Sequence, residues 1–370
     1  MSTFTQSKRR AGRFFNAPAI AVLMLLATAC GQSAYGEGNT TPATQPADIK
    51  ALCGSKPVIV ALTDGYGGDT WRKTTQAEFR DEAARCPNIK KVVYANANGD
   101  QQKSNGDINS LVSQGVNVLV SFNDYGDAML PAFRSARRAG VAVVPYFSRI
   151  GGASGRDYSS NVYYDPASVG TMWADWLGAN VKSGTVLMLG GPAGASSSQG
   201  FMNALQAGLK KYPGIKLLET NFIATNWNPT DAQKAVAGLI AKYPKIDAIA
   251  SDYGVTTLAA VKSFEQAHLP VPAMVSFATN NEISCKYLAD RKSGAGWQYL
   301  ALDGTNTLVR VALRRAMSSY EGTPNSEPVA AAPYVFADSA KRLDPKCDAS
   351  APPDADLSSS LTMDALKKLF

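Results

Sequence analysis

The sequence predicts an α/β protein built from two doubly wound parallel-sheet lobes. Short runs of β-branched and other apolar residues recur along the chain, and an amphipathic segment of about 8–16 residues follows most of them. Strands that are apolar throughout are typical of parallel sheets covered by helices on both faces. Four strand–helix units precede a polar break at 151–162 and about four follow it, so we expect two lobes.

The strand pattern is carried by eight runs: 57–62, 91–96, 116–122, 141–147, 184–191, 215–220, 246–252 and 272–278. The amphipathic segments predict seven helices: Trp71–Arg85, Asp107–Gln114, Asp127–Ala139, Pro166–Ala179, Gly200–Tyr212, Thr230–Lys242 and Thr256–Gln266. In the first helix Phe79 and Ala83 share one face, whereas Glu78 is expected to point towards water. Ligands of such folds bind at the carboxyl ends of the strands, so we expect a site between the two lobes.

The first thirty residues have the pattern of an export signal. Four cations precede a short apolar run at 17–29, and Cys30 follows it. The run is too short to span a bilayer comfortably. Its end, LATAC at 26–30, resembles a bacterial lipobox, although Ala27 stands where leucine is usual. The resemblance implies a signal peptide at 1–29, acylation of Cys30 and a lipid anchor in the membrane; plain secretion and an internal apolar helix are the alternatives.

Composition limits the partners and the compartment. Of the 370 residues 45% are hydrophobic, which is enough to build one large or two medium cores. The formal charge of +7 falls to +3 when the four leader cations are removed, and no basic run interleaved with aromatics remains, so we expect no nucleic-acid partner. Residues 30–52 are rich in Gly, Thr and Pro and predict a flexible tether.

The cysteines are typical of an oxidising compartment. Cys53 precedes the first predicted strand and Cys86 ends the helix that returns to the same edge of the sheet, so their pairing is favoured. Cys285 and Cys347 would then pair and hold the C-terminal tail. Free thiols are the alternative, and the spacings do not match a zinc site.

We find no constellation for catalysis. The single histidine, His268, lies in a predicted loop without a cysteine, aspartate or second histidine at ligand spacing. Nucleophile-elbow, HExxH, P-loop and dinucleotide motifs are missing from the sequence. The glycine-rich segment 190–200 follows a strand and faces a ligand or forms a plain turn. We therefore expect no catalytic residues, no cofactor and no metal.

Seven motifs follow one another in a characteristic order between about Pro57 and Thr323: TDGYGGDTW, DINSLVSQGVNVLVSF, AGVAVVPYFSR, YYDPASVGTMWADWL, GGPAGASSSQGFMNALQ, NWNPTDAQKAVAGLIAKYPKIDAIASDYG and MVSFATNN. In this order, behind an export signal, the chain resembles the periplasmic type I sugar-binding proteins. These are substrate-binding subunits of ABC importers related to ribose- and galactose-binding proteins.

The resemblance implies an architecture and a function. Three hinge strands would join lobe one, at 54–160 plus 299–333, to lobe two, at 161–298 plus the tail 334–370. An extracytoplasmic, monomeric protein would bind a small polar ligand, a monosaccharide or sugar derivative, and deliver it to an ABC permease. A sensor subunit that presents the ligand to a membrane receptor, and an exported hydrolase, are the alternatives.

The resemblance also implies ligand-binding positions. They are Asp64, Tyr66, Trp71, Ser148, Arg149, Asp165, Ser197, Trp227, Asp252, Tyr253, Asn280 and Gln298. Aromatic rings stack on the apolar face of a sugar, and polar groups pair with its hydroxyls. For Trp71 core packing is the alternative. Asp165 corresponds to the aspartate that lies near the family's hinge.

Three positions depart from the family pattern. Ser148 stands where the family has the aspartate of an Asp-Arg pair, Ser197 where it has an arginine, and Ala278 where it has an aspartate. A hydrogen bond to a charged group contributes about 1.5–3 kcal/mol, so these changes predict an altered specificity. A plain pentose is therefore disfavoured against a deoxy sugar, a polyol or a non-sugar with an aromatic face.

Overall fold

The computed structural model describes residues 48–370. The predicted signal peptide, Cys30 and most of the predicted tether lie outside this range. The last tether residues differ from the prediction, because Ile49–Leu52 form a 3-10 helix capped by Asp48. Ile49 and Leu52 are buried in the same core cluster as the first strand, so this short segment is anchored by apolar packing.

The described residues contain two parallel sheets flanked by helices. The strands are β1 (Val58–Asp64), β2 (Ile89–Asn96), β3 (Val118–Phe122), β4 (Ala142–Phe147), β5 (Val162–Tyr164), β6 (Gly184–Gly190), β7 (Ile215–Leu217), β8 (Ile223–Ala224), β9 (Ala248–Ser251), β10 (Ala273–Phe277), β11 (Tyr299–Asp303), β12 (Ala330–Ala331) and β13 (Tyr334–Asp338). The α-helices are α1 (Thr70–Ala84), α2 (Gln101–Ser113), α3 (Leu130–Arg138), α4 (Pro166–Asn180), α5 (Ser196–Leu209), α6 (Pro229–Lys242), α7 (Gly254–Gln266), α8 (Asn281–Ser293), α9 (Leu308–Glu321) and α10 (Met363–Lys367).

Strand order confirms the doubly wound fold. The first sheet runs β12-β5-β4-β3-β1-β2 and is parallel throughout. The second runs β13-β11-β10-β9-β6-β7, with β8 also paired to β6, and only β13 is antiparallel. All eight predicted runs contain a strand. The seven predicted helices correspond to α1–α7, whereas α8, α9 and α10 are not among the predicted helices.

The chain passes between the sheets three times, after β5, after β11 and between β12 and β13. Residues 162–164 pair with β4 in the first sheet, and residues 299–303 pair with β10 in the second. Both segments therefore lie in the lobe opposite to the one expected from the predicted boundaries at 160/161 and 298/299. The apolar pattern of the sequence does not show where the chain crosses between the lobes. A strand next to the hinge has the same apolar pattern whichever sheet it joins.

Close helix packing builds the second lobe. Helices α4 and α5 lie against each other, and two glycines permit the approach. A Cβ on Gly170 would lie 2.3 Å from the backbone of Ala204, and one on Gly208 would lie 2.7 Å from Cβ of Ala174. Since real Cβ atoms do not approach other heavy atoms this closely, both positions need glycine.

A buried network of charges joins α1 to α9. Glu78, which the helical period predicted to face water, is fully buried and pairs with Arg310. Arg314 bonds Glu82 at 2.7 Å and Glu327 at 2.6 Å. The prediction for Glu78 was wrong because α9 covers that side of α1 and supplies the cations.

Both expected disulfides are present. Cys53–Cys86 joins the residue before β1 to the end of α1, with 5.6 Å between the Cα atoms. Cys285–Cys347 joins α8 to the tail, with 5.0 Å between the Cα atoms.

The tail contacts both lobes. Asn281 of α8 donates to the backbone oxygens of Asp348 and Ala351, while Ser359 and Ser360 bond Glu78 of α1. This differs from the expectation that the tail 334–370 belongs to lobe two alone. It lies across the region where the chain passes between the sheets.

Candidate functional site

A cavity with about 400 Å³ of empty space lies between the two sheets, at the carboxyl ends of their strands. Its walls are formed by Asp69, Trp71, Arg72, Phe122, Phe147, Ser197, Phe201, Trp227, Asp252, Tyr253 and Ala278. Phe122 and Phe147 end β3 and β4 of the first sheet, and Ala278 follows β10 of the second. The location is typical of a small-molecule site in an open α/β fold.

Trp71 enters the cavity from the first turn of α1, which Asp69 caps through a bond from the Arg72 amide. Its ring makes edge contacts with Phe122 at 5.6 Å and with Phe147 at 5.2 Å between centroids. The indole Nε1 donates to Thr305 Oγ1 at 2.8 Å, just after β11. Trp71 is therefore half-buried, fixed by these contacts, and still lines the cavity.

Trp227 enters from the other lobe, in the loop before α6. Its Nε1 donates to Asp252 Oδ1 at 3.1 Å, and Ser198 Oγ donates to Asp252 Oδ2 at 2.5 Å. Burial raises the pKa of Asp252 to about 6, although the bonds from Ser198 and Trp227 favour its ionised form. The carboxyl group thus holds the indole in place and titrates within reach of neutral pH.

Arg72 is a buried cation in the cavity wall. Its Nη1 donates to Asp64 at 2.8 Å and its Nη2 to Asp124 at 2.7 Å, while its guanidinium lies 3.5 Å from the ring centroid of Phe122. Burial lowers the pKa of Arg72, but Asp124 and Asp64 outweigh it and hold the group charged. Burial raises the pKa of Asp124 to about 6 against the opposing effect of Arg72. The charges form one interlocked group behind the cavity.

Comparison with known proteins decides the family. The family model described as "Periplasmic binding protein domain" matches residues 59–307. The chain belongs to this family. The resemblance inferred from the motif order is therefore confirmed.

Curated relatives of this periplasmic binding protein include two with named ligands. A "Xylitol-binding protein" of Mycolicibacterium smegmatis is 28% identical over 206 residues, which cover 54% of this chain and 56% of that protein. A "D-xylose-binding periplasmic protein" of Escherichia coli is 25% identical over 190 residues, which cover 50% and 56%. The chain spans little more than half the length of these relatives.

Solved structures show the same fold at low identity. An ABC transporter solute-binding protein from Thermobispora bispora superposes with a TM-score of 0.66 at 22% identity, covering 84% of this chain and 94% of that one. The binding component of the arabinose ABC transporter from Shewanella sp. ANA-3 superposes with a TM-score of 0.64 at 16% identity, covering 75% and 90%.

The structure brings five of the predicted residues of this binding protein to the cavity: Trp71, Ser197, Trp227, Asp252 and Tyr253. Tyr66 lies nearby, with its ring 6.0 Å from Trp227, but it does not line the wall. Asp64 lies behind Arg72 and also accepts a 2.9 Å bond from the hydroxyl of Tyr94. It positions the arginine rather than facing the cavity.

Besides Asp64 and Tyr66, five more predicted residues lie outside the cavity wall: Ser148, Arg149, Asp165, Asn280 and Gln298. Asp165 and Asn280 cap α4 and α8 through bonds to backbone amides. Ser148 is buried near Ser196, and Arg149 is exposed with its guanidinium 5.8 Å from the ring of Tyr163.

Gln298 shows the largest difference from the prediction. It is exposed and directly precedes β11, whereas the cavity lies at the carboxyl ends of the strands. It lines a separate surface depression beside Trp297 and Arg342.

Sequence reasoning did not select the other wall residues: Asp69, Arg72, Phe122, Phe147 and Phe201. Phe122 and Phe147 were visible as the last residues of two predicted strands, which is where a ligand site is expected. Arg72 directly follows Trp71 in a motif already singled out. Ala278 is named in the sequence analysis only as a position where the family has an aspartate.

Three residues of the cavity wall have a left-handed backbone conformation. Phe147, Trp227 and Ala278 have φ angles of +83°, +50° and +56°. Side chains with a Cβ rarely adopt this left-handed region, least of all bulky ones, and such strain clusters at functional sites. Phe147 ends β4 and Ala278 directly follows β10, so both lie where the chain leaves a strand at the cavity wall.

Within residues 48–370 no cluster of three or more His, Cys, Asp or Glu side chains has a geometry suited to a metal ion. In the same range no helix combines the length and hydrophobicity needed to cross a membrane.

Proposed function

We propose that this periplasmic binding protein captures a sugar or a sugar derivative between its two lobes and delivers it to an ABC permease. The observation that carries the proposal is the pair Trp71 and Trp227, which line one cavity from opposite lobes. The curated relatives named for xylitol and D-xylose support a polyhydroxylated ligand.

The cavity combines the two kinds of contact that a sugar requires. Indole and phenyl rings bury its C–H faces, while Asp69, Arg72 and Asp252 offer charged partners to its hydroxyls. A ligand that contacts both walls is bound best when the lobes are closed, so binding shifts the protein towards the closed state. The three chain crossings provide the hinge for this motion. The permease would then recognise the closed form.

The N-terminal sequence supports an exported lipoprotein that works outside the cytoplasm. Cys30 would carry the lipid and the segment up to Asp48 would act as the tether. Expression with a labelled fatty acid should give a labelled, membrane-associated protein. Cys30→Ser should abolish the label, and Cys285→Ser should retain it. Equal labelling of wild type and Cys30→Ser would contradict lipid attachment.

A thermal-shift screen tests the ligand class. The purified protein is heated with pentoses, hexoses, polyols, amino acids, nucleosides and small aromatic acids at high concentration. A ligand of the native state adds RT ln(1 + [L]/Kd) to the free energy of unfolding, about 4 kcal/mol at a thousandfold excess over Kd. We expect a large shift in Tm with one sugar or polyol. A shift only with amino acids, nucleosides or aromatic acids would contradict the proposal.

A further inference from the structure

The three chain crossings meet at one turn, the hinge turn 303–306. Strand β11 ends at Asp303, and the backbone turns at Gly304 with a φ of +101°. Tyr164, the last residue of β5, donates its hydroxyl to the carbonyl oxygen of Gly304 at 2.7 Å. A Cβ on Gly304 would lie 2.8 Å from Cε1 of Tyr334, the first residue of β13. Residues beside all three crossings are therefore packed together at the hinge turn.

Two buried carboxyl groups meet at the hinge turn. Asp303 belongs to the turn and Asp356 comes from the tail, and they are 0% and 3% exposed. Asp356 accepts a bond from the side-chain amide of Asn306 and a 2.7 Å bond from the backbone amide of Ser358. Among residues 48–370, neither carboxyl group has a lysine, arginine or histidine as an ion-pair partner. Two such carboxylates repel each other without compensation, so one of them keeps a proton at neutral pH.

The hydrogen bonds indicate which group carries the proton. Asp303 accepts bonds from amides and hydroxyls around the turn, supplied by Thr279, Gly304 and Thr305. Asp356 has fewer donors, and donors favour the ionised form of a carboxyl group. Burial and then the charge of Asp303 raise the pKa of Asp356 to about 8. The shared proton is therefore mainly on Asp356.

The other titratable groups that face the pair are tyrosines: Tyr164, Tyr299 and Tyr334. Burial raises the pKa of each, so they remain neutral where the pair titrates. The charged groups nearby on the tail and on α1 have other partners. Asp354 accepts a 3.4 Å bond from Asn280, and Glu78 pairs with Arg310. This leaves the pair as the titrating group at the hinge turn.

The hinge turn connects the tail to the first lobe and to the cavity. Asn306, which donates to Asp356, accepts a bond from the hydroxyl of Thr75 on α1. Thr305 accepts the 2.8 Å bond from the indole of Trp71. A docked tail thus restrains the same turn on which α1 and the cavity tryptophan rest.

We propose that Asp303 and Asp356 share one proton, and that this proton holds the tail across the two lobes. Loss of the proton leaves two buried negative charges, so the tail leaves the hinge turn and the lobes move more freely. In water Asp356 has a pKa of about 3.8, whereas docking raises it to about 8. Docking is therefore fully supported below about pH 3.8 and is lost as the pH rises through 8. Between these values it weakens by about tenfold per pH unit.

Hydrogen exchange of the purified protein without added sugar, followed by mass spectrometry, tests the proposal. The exchange rates are divided by the intrinsic rates at each pH to give an opening constant for residues 354–361. This constant should rise by about tenfold per pH unit between about pH 5 and pH 7.5. An opening constant that does not depend on pH would overturn the proposal. Because no ligand is present, that result would leave the proposed function standing.

Variants assign the pH dependence to the pair. Asp356→Asn should give a flat profile, since it removes the titrating group. Asp364→Asn is the matched control and should keep the wild-type slope, because Asp364 is an exposed carboxylate of the same tail. Asp303→Asn should move the end of the slope to lower pH, since Asp356 then lacks its negative neighbour. A wild-type slope in Asp356→Asn, or an unmoved profile in Asp303→Asn, would overturn the proposal. The wild-type profile tests it even if neither variant folds.

Discussion

Trp227 Nε1 donates a 3.1 Å hydrogen bond to Asp252 Oδ1, and this bond fixes the indole across one side of the cavity. The left-handed backbone at Trp227 turns the side chain inwards, and Gly191 lies directly against the ring. Position, tilt and depth of the indole are thus set by three separate parts of the chain. Because the indole is already held in place, ligand binding costs little side-chain conformational entropy at this position.

Gly191→Ala should weaken ligand binding without unfolding the protein. A Cβ at this position would lie 2.3 Å from Cε2 of Trp227, so the indole has to shift from its bond with Asp252. We expect affinity to fall about tenfold or more, or about 1.4 kcal/mol, in a calorimetric titration. Gly238→Ala on α6 is the matched control, because nothing lies within 4 Å of its Cβ. Equal affinities for both variants and wild type would show that the position of Trp227 is unimportant.

Asp252 should make stability depend on pH. Burial raises its pKa from 3.8 to about 6 in the folded protein. Its contribution to stability is therefore fully present below about pH 3.8 and is lost as the pH rises through 6. The free energy of unfolding of Asp252→Asn minus that of wild type should rise by up to about 3 kcal/mol between pH 4 and 7, since one pKa unit corresponds to about 1.4 kcal/mol. Urea denaturation at several pH values measures this difference, and a flat profile would count against the burial argument.

Arg72→Met should destabilise the protein strongly. The change leaves Asp64 and Asp124 buried without their cation, and breaking one side of a buried ion pair costs about 3–5 kcal/mol. Adding Asp64→Asn and Asp124→Asn to this variant should recover much of the loss, because the uncompensated charges are then gone. Equilibrium denaturation of the single and triple variants compares the two effects. If the triple variant is no more stable than Arg72→Met, packing of the guanidinium on Phe122 matters more than charge.

Cys285→Ser with Cys347→Ser should release the tail from α8. The disulfide closes a segment with a sequence separation of 62, and such a cross-link typically contributes about 2–4 kcal/mol. We expect limited proteolysis to cleave this variant in the tail after Tyr334–Asp338 well before wild type is cut. Cys53→Ser with Cys86→Ser is the control, which should lose stability but keep its tail protected. Protection of the tail in both variants would show that Asn281, Ser359 and Ser360 hold it without the disulfide.

The sheets could be predicted from the sequence because their strands are buried on both faces and appear as local apolar runs. Helix α9 could not, since Arg310 and Arg314 interrupt its apolar stripe and are buried by partners on α1. The same pairing misled the prediction for Glu78. Its cation lies 232 positions away along the chain, and no local pattern reports such a contact.

The binding site could be predicted only in part, because sequence motifs locate strand ends but do not show what each side chain contacts. Trp71, Trp227 and Asp252 lie in motifs that mark strand ends, so their positions could be placed at the cavity edge. A motif does not show whether a polar residue caps a helix or faces a ligand. Asn280 has the side chain of a sugar binder, yet its oxygen accepts a bond from the amide of Ile283.

The most direct test of a sugar-binding cleft is calorimetric titration of Trp71→Ala with Trp227→Ala, using the sugar that raises the wild-type Tm most. The two rings come from opposite lobes, so removing both should weaken binding about 100-fold or more, with a Tm in the absence of ligand that still shows a cooperative fold. Phe370→Ala, an exposed aromatic at the end of the tail, is the control and should bind as wild type does. An unchanged affinity in the double variant would contradict the assignment of this cavity as the ligand site.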